Sequence, residues 1–229
     1  MADFYDPSNT QFEKGQKIEI YSIASGETCA FKAWLTDFSD KFESDWTTEE
    51  VYGRMDPIQT FKGTKRTISL SWDLVAASKQ EAMDNMAECA KLFKMLYPTY
   101  SAEASNTMQA SPLVRLKFAN LITNTAVAGA DGATALEAGL VGTIDGFEYA
   151  PDLDQGFFES NSGASVFPQT LVLSCTFVVM HTHNLGHNVS GGERFPNQFP
   201  YIRDGSAEPA SGTGSAVSDD AEDRAVETL

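Results

Sequence analysis

Positive charge is scarce in this 229-residue chain: 16 Lys and Arg face 32 Asp and Glu, a formal net charge of −16. Such a surface repels phosphates, which excludes direct DNA readout and leaves open only passive contact in which sticking must be avoided. Cysteine is nearly absent. Cys29, Cys89 and Cys175 are widely spaced, form no C-x-x-C pair and are odd in number, which argues against a disulfide framework. They read as reduced, buried small hydrophobes. No stretch approaches the ~20 apolar residues needed to span a bilayer. The N-terminal stretch MADFYDPSNTQFEKGQ has neither the basic nor the apolar region of a secretory signal. The expectation is therefore a chain made in the cytoplasm, with no membrane partner.

Catalytic signatures are also missing. There is no G-x-S-x-G, and the glycine-rich piece at 129–132 lacks the Lys-Ser/Thr ending of a phosphate loop. Asp152 and Asp154 have the composition of an acid–base pair, but nothing orients them and PDLDQG reads as a turn. His181, His183 and His187 form H-x-H-x-x-x-H. On a strand the first two share a face, a spacing that suits metal ligation, yet no neighbouring Cys or acid cluster completes a tetrahedral site. Their other reading is a strand end with exposed, hydrogen-bonding histidines. Asn188-Val189-Ser190 fits a glycosylation acceptor, which has no meaning without a secretory signal. No enzyme, cofactor or resident metal is expected.

What is present is a β pattern with one strong helix. From Lys65, the residues Ile68, Leu70, Trp72 and Leu74 alternate with Thr67, Ser69, Ser71 and Asp73, the period of a half-buried strand. Before it stand two turn signals, a Gly53–Pro57 corner and Phe61-Lys62-Gly63-Thr64. Further strands are expected over 17–23, 29–37, 46–52, 112–121, 139–149 and 169–180. In 112–121, Val114, Leu116 and Phe118 oppose Arg115 and Lys117. The glycines in 139–149 suggest bulges or close backbone approach. In 169–180, Leu171, Leu173, Cys175, Phe177 and Val179 share one face. Val172, Val178 and Met180 on the other face suggest burial on both sides.

Ser78-Lys79-Gln80-Glu81 is a capping box that opens a helix over about 78–96, closed by Tyr97-Pro98. Ala82, Met86, Cys89, Ala90, Phe93 and Leu96 form its predicted buried stripe. Phe38, Phe42 and Trp46 recur every fourth residue through an acidic stretch, as a short helix or as a loop carrying aromatic anchors. The segments 99–111, 123–138 and 156–167 read as loops. The organisation expected is an N-terminal arm (1–16), a β domain (17–202) and an acidic C-terminal extension (203–229). That extension holds seven acids against two arginines and almost no core-forming residues, a composition that does not fold alone.

The ordered set of YGRMDPI, GTKRTISLSWDL, the capped helix ending LYPTY, SPLVRLKFANL, GLVGTIDGFEYAPDLDQGFF and QTLVLSCTFVVMHTHNLGH resembles tail-tube-like baseplate proteins of bacteriophages with contractile tails. It covers roughly residues 17–187. The resemblance implies a mainly β, antiparallel sandwich or barrel of the tail-tube type with one flanking helix. It also implies a ring, six-membered in that group, which starts the tail tube at the baseplate hub. The implied partners are copies of itself and neighbouring tube and hub proteins, with DNA passing through the bore, and the implied location is the virion. The alternatives are a repeating tube subunit and, from another class, a metal-dependent binding module on His181, His183 and His187. Phe38, Phe42 and Trp46 are candidate interface anchors, or else part of the domain's own core. Arg54 and Asp56 pair either across subunits or within their turn.

Overall fold

The computed structural model describes residues 12–32, 34–101, 107–127, 129–130, 132–159, 163, 165–189, 192–194 and 199–202. Most of the expected N-terminal arm and the whole acidic extension lie outside these residues. The strands are β1 (Lys17–Ser22), β2 (Thr28–Lys32), β3 (Leu35–Glu49), β4 (Ile58–Val75), β5 (Thr99–Tyr100), β6 (Met108–Ala110), β7 (Val114–Phe118), β8 (Leu140–Pro151), β9 (Phe157–Glu159), β10 (Val166–Pro168) and β11 (Thr170–Val179). Helix α1 spans Lys79–Met95, and a single turn, α2, spans Ala135–Ala138.

The protein is mainly β and its pairings are antiparallel. Seven strands form one sheet in the order β2-β1-β7-β8-β11-β4-β3. Its two ends, β2 and β3, are consecutive in the chain and separated by two residues. Three Cα steps reach at most about 11 Å, whereas six inter-strand spacings laid flat would cover about 29 Å. The sheet must therefore curl into an open barrel that brings the end of β2 near the start of β3, with no ladder joining these two strands among the described residues. A contact across the interior agrees: the Phe31 ring of β2 and the Trp72 ring of β4 lie 5.8 Å apart.

Inside the curl sits one core, built from alternate residues of the paired strands: Ile18 and Ile20, Ile68 to Leu74, Val114 and Leu116, and Leu171 to Val179. The expected inward face of β11 holds to the residue. Its other face does not: Val172 and Val178 are half-buried and Met180 is exposed, because no second layer among the described residues covers that side.

The expected capping box forms in half, with the reciprocal bond going to the residue before the N-cap. Ser78 Oγ accepts from Glu81 N–H at 3.3 Å, and the Glu81 carboxylate accepts from Ala77 N–H at 2.8 Å. The helix lies against β2, β9 and β10. Its buried stripe is Ala82, Cys89, Leu92 and Met95, rotated from the expected one, and Met86 and Ala90 face solvent. Apolar residues surround this helix, so periodicity allows more than one stripe, and contact with the strands selects among them.

Several expected boundaries change. The strand expected at 29–37 is two strands, β2 and β3, at opposite ends of the sheet order. The turn expected at 61–64 lies inside β4, where Gly63 pairs with Asp45 and Phe61 with Trp46, leaving Lys62 as a bulge. The loops expected at 99–111 and 156–167 contain the short pairs β5–β6 and β9–β10. The loop at 123–138 contains α2, whose first N–H, on Ala135, donates to the buried Glu19 carboxylate at 2.9 Å. The glycine signals in β8 are realised in both forms. Asp145, beside Gly146, is skipped in the ladder to β11, and a Cβ on Gly142 would fall 2.2 Å from the Val178 carbonyl oxygen.

Candidate functional site

All five candidate interface residues lie on one hairpin, β3–β4. The run 38–46 is neither helix nor loop. Phe38, Phe42 and Trp46 are alternate-row residues of a 15-residue strand, because a spacing of four satisfies a period of two as well as one near 3.6. The hairpin has a root inside the barrel and an arm outside it.

At the root, Phe38 pairs with Leu70 and packs half-buried against the core. Asp40 and Arg66 come next, and both side chains are 2% exposed. Arg66 continues the inward row of Ile68, Leu70, Trp72 and Leu74. Its Nε donates to Asp40 Oδ1 at 3.1 Å and its Nη2 to Oδ2 at 2.8 Å, a forked pairing. The guanidinium lies under the rings of Phe42 and Phe199, 5.2 and 5.9 Å from their centroids. Tyr201 O–H donates to Asp40 Oδ2 at 3.0 Å. Burial, and then the hydrogen bond to Asp40 and its charge, push the Tyr201 hydroxyl above its ordinary pKa range. Sequence reasoning missed this cluster. The parity of Arg66 with Ile68 was the available signal, but its acidic partner is 26 residues away.

Beyond Glu43 and Lys65 every described residue of the hairpin except Gly63 is exposed, on both faces. At about 3.3 Å per residue the ladder runs on for about 20 Å, to a tip at 50–57 where Gly53 adopts a φ of 88°. Large apolar groups line the arm: Trp46 (54% exposed) against Phe61 (53%) at 5.1 Å, then Tyr52 (105%) and Met55 (97%) at the tip. A free two-stranded ribbon is marginal in water. Here the Trp46–Phe61 pair and the Thr48–Gln59 hydrogen bond (2.9 Å) support it. Arg54 and Asp56 are both exposed in the tip, and no ion pair joins them. The outer edge of β3 pairs with no strand among the described residues.

The other candidate chemistry is dispersed. β11 ends at Val179, so His181 and His183 follow the strand on a bend and do not share a strand face. Burial lowers the pKa of both; the Arg66 charge adds to this for His181, and His181 adds to it for His183. His187 bridges to Glu193. Among the described residues no group of three or more His, Cys, Asp or Glu is arranged to hold a metal. Asp152 Oδ1 accepts from Asp154 N–H at 3.0 Å, the turn that PDLDQG suggests. The three cysteines are free and buried. A depression of about 420 Å³ on the outer face of β3, β4, β11 and β8 is lined by Asp37, Ser69, Ser71, Glu148, Ser174 and Thr176. No known family model matches the chain, and no curated protein matches it.

Proposed function

We propose that this protein is a structural component of a bacteriophage tail, a tail-tube-like baseplate protein. Copies of it form a ring at the baseplate hub from which the tail tube starts, and DNA passes through the ring. It acts by assembly and not by catalysis. The observation that carries this reading is the β3–β4 arm. It is a ribbon projecting about 20 Å, with Trp46, Tyr52, Met55 and Phe61 exposed and an edge of β3 that pairs with no strand among the described residues. An exposed edge and apolar side chains on one ribbon are a liability in a monomer and an asset in an assembly, where a neighbour completes the edge and buries the rings. Contact between an arm and a different surface of the next copy is heterologous, which generates rings when the rotation closes. The net charge of −16 suits a conduit that must not hold its cargo. Arg54 and Asp56, exposed at the tip with no ion pair to another described residue, fit pairing with a neighbour.

The test is light scattering with negative-stain imaging of the wild type and of a variant carrying Trp46→Ser, Tyr52→Ser, Met55→Ser and Phe61→Ser. The wild type is expected to form rings and the variant to stay monomeric with an unchanged melting temperature. Closed rings identify an initiator, and long self-assembled tubes identify a repeating tube subunit. A wild type that stays monomeric, with an arm that accepts four serines without changing any measured association, refutes the reading.

A further inference from the structure

Residues 199–202 lie across the root of the arm and touch two distant parts of the barrel within four residues. At one end, the Phe199 ring meets the Phe42 ring edge-on at 6.1 Å and covers the Arg66 guanidinium, while Tyr201 O–H reaches Asp40. Both contacts fall on β3 and β4. At the other end Ile202 is buried with Ala130 and Ala138 in a small second core. Its N–H donates to the Asn120 carbonyl at 3.3 Å, and its carbonyl accepts from the Asn120 side-chain amide at 3.1 Å. Asn120 follows β7, which stands four places from β3 in the sheet order. The segment therefore joins elements that the ladder connects only through β8, β11 and β4.

We propose that residues 199–202 are a strap that fixes the direction of the β3–β4 arm, and that releasing it frees the arm to swing at its root while the barrel stays folded. The physical reason lies in where the arm is held. Beyond its root it has no packing partner among the described residues, so its angle is set only where Phe38, Asp40 and Phe42 face Leu70, Ile68 and Arg66. A ladder resists bending out of its plane weakly. The strap adds a contact out of that plane, pulling on Asp40 and Phe42 from an anchor at Ile202. The buried charge pair makes the junction specific: the tyrosine hydroxyl satisfies a further acceptor site of the carboxylate, and Phe199 excludes water from the guanidinium. This device is independent of the assembly reading, since it concerns the arm of a single chain.

Hydrogen exchange on the full-length protein tests it with two variants that release opposite ends. Tyr201→Phe removes only the hydroxyl bound to Asp40. Ile202→Ser loosens the anchor without altering any group that touches the arm. Both are expected to speed exchange of the root amides, 39–43 and 64–68, by about ten-fold, and to leave amides of β1, β7 and α1 at wild-type rates. Root amides at wild-type rates in Ile202→Ser would overturn the proposal, because an anchor that does not transmit is no strap. Equal acceleration of all strands in Tyr201→Phe would also overturn it, by making the segment an ordinary part of the barrel core.

Discussion

Replacing Asp40 with Ala leaves the Arg66 guanidinium in place, 2% exposed, roofed by two phenylalanine rings and without its counter-charge. Removing one partner of a buried pair costs about 3–5 kcal/mol, because the remaining charge stays desolvated and unmatched. For a chain of this size, each kcal/mol lowers the melting temperature by about 2–4 °C, so a fall of roughly 6–20 °C is expected. The double replacement Asp40→Leu with Arg66→Met should behave in the opposite way. Apolar groups of similar volume remove both desolvation costs, and stability should be unchanged or higher by about 1–4 kcal/mol. Thermal and urea unfolding followed by circular dichroism, on both single variants and the double, give the coupling energy. A loss below about 1 kcal/mol in Asp40→Ala, the range of a solvent-exposed pair, would refute the burial of this cluster and the closure of the barrel mouth around it.

Three further outcomes follow from separate parts of the structure. Gly142→Ala should lose about 1–3 kcal/mol through overpacking, since its Cβ would meet the Val178 carbonyl oxygen at 2.2 Å and the Phe177 ring at 2.6 Å; Gly146→Ala, with nothing within 4 Å, should unfold near the wild-type midpoint. Burial, and then the nearby Asp152 charge, raise the Asp73 pKa; a carboxyl raised on folding favours the folded state only while protonated, and that contribution fades as pH rises from the ordinary Asp value through the raised one. Asp73→Asn should therefore melt higher than wild type at pH 7, and the gain should vanish below the ordinary Asp range. Burial pushes the thiols of Cys29, Cys89 and Cys175 up to about 12, so the native protein should not react with a thiol reagent at pH 8, while the urea-unfolded protein should react at all three.

Local chemistry made part of this fold legible. The Ser78 side-chain cap, the inward row from Ile68 to Leu74 and the inward row of β11 each depend on residues a few positions apart, and each formed as the pattern implied. The glycines of β8 were legible as exceptions, although not which would bulge and which would yield to a neighbouring strand. The arm was harder to read. Phe38, Phe42 and Trp46 stand four apart, a spacing shared by one helix face and one strand face, and the acids among them carry no β signal. Gly63 imitated a turn because a glycine at a bulge and a glycine at a corner look alike in sequence.

The sequence by itself determined that the protein is mainly β, that one capped helix follows a strongly alternating strand, and that the surface is acidic. These follow from periodicity and composition, which are local or additive quantities. Only the tertiary structure decided that the sheet curls to bring the end of β2 near the start of β3, that α1 turns Leu92 and Met95 inward, and that Arg66 is buried against Asp40 beneath Phe199 and Tyr201. Those outcomes rest on contacts between residues far apart in the chain, 161 positions for Tyr201 and Asp40. Which distant groups share a buried space is set by how the sheet curls, and no window of sequence contains that curl.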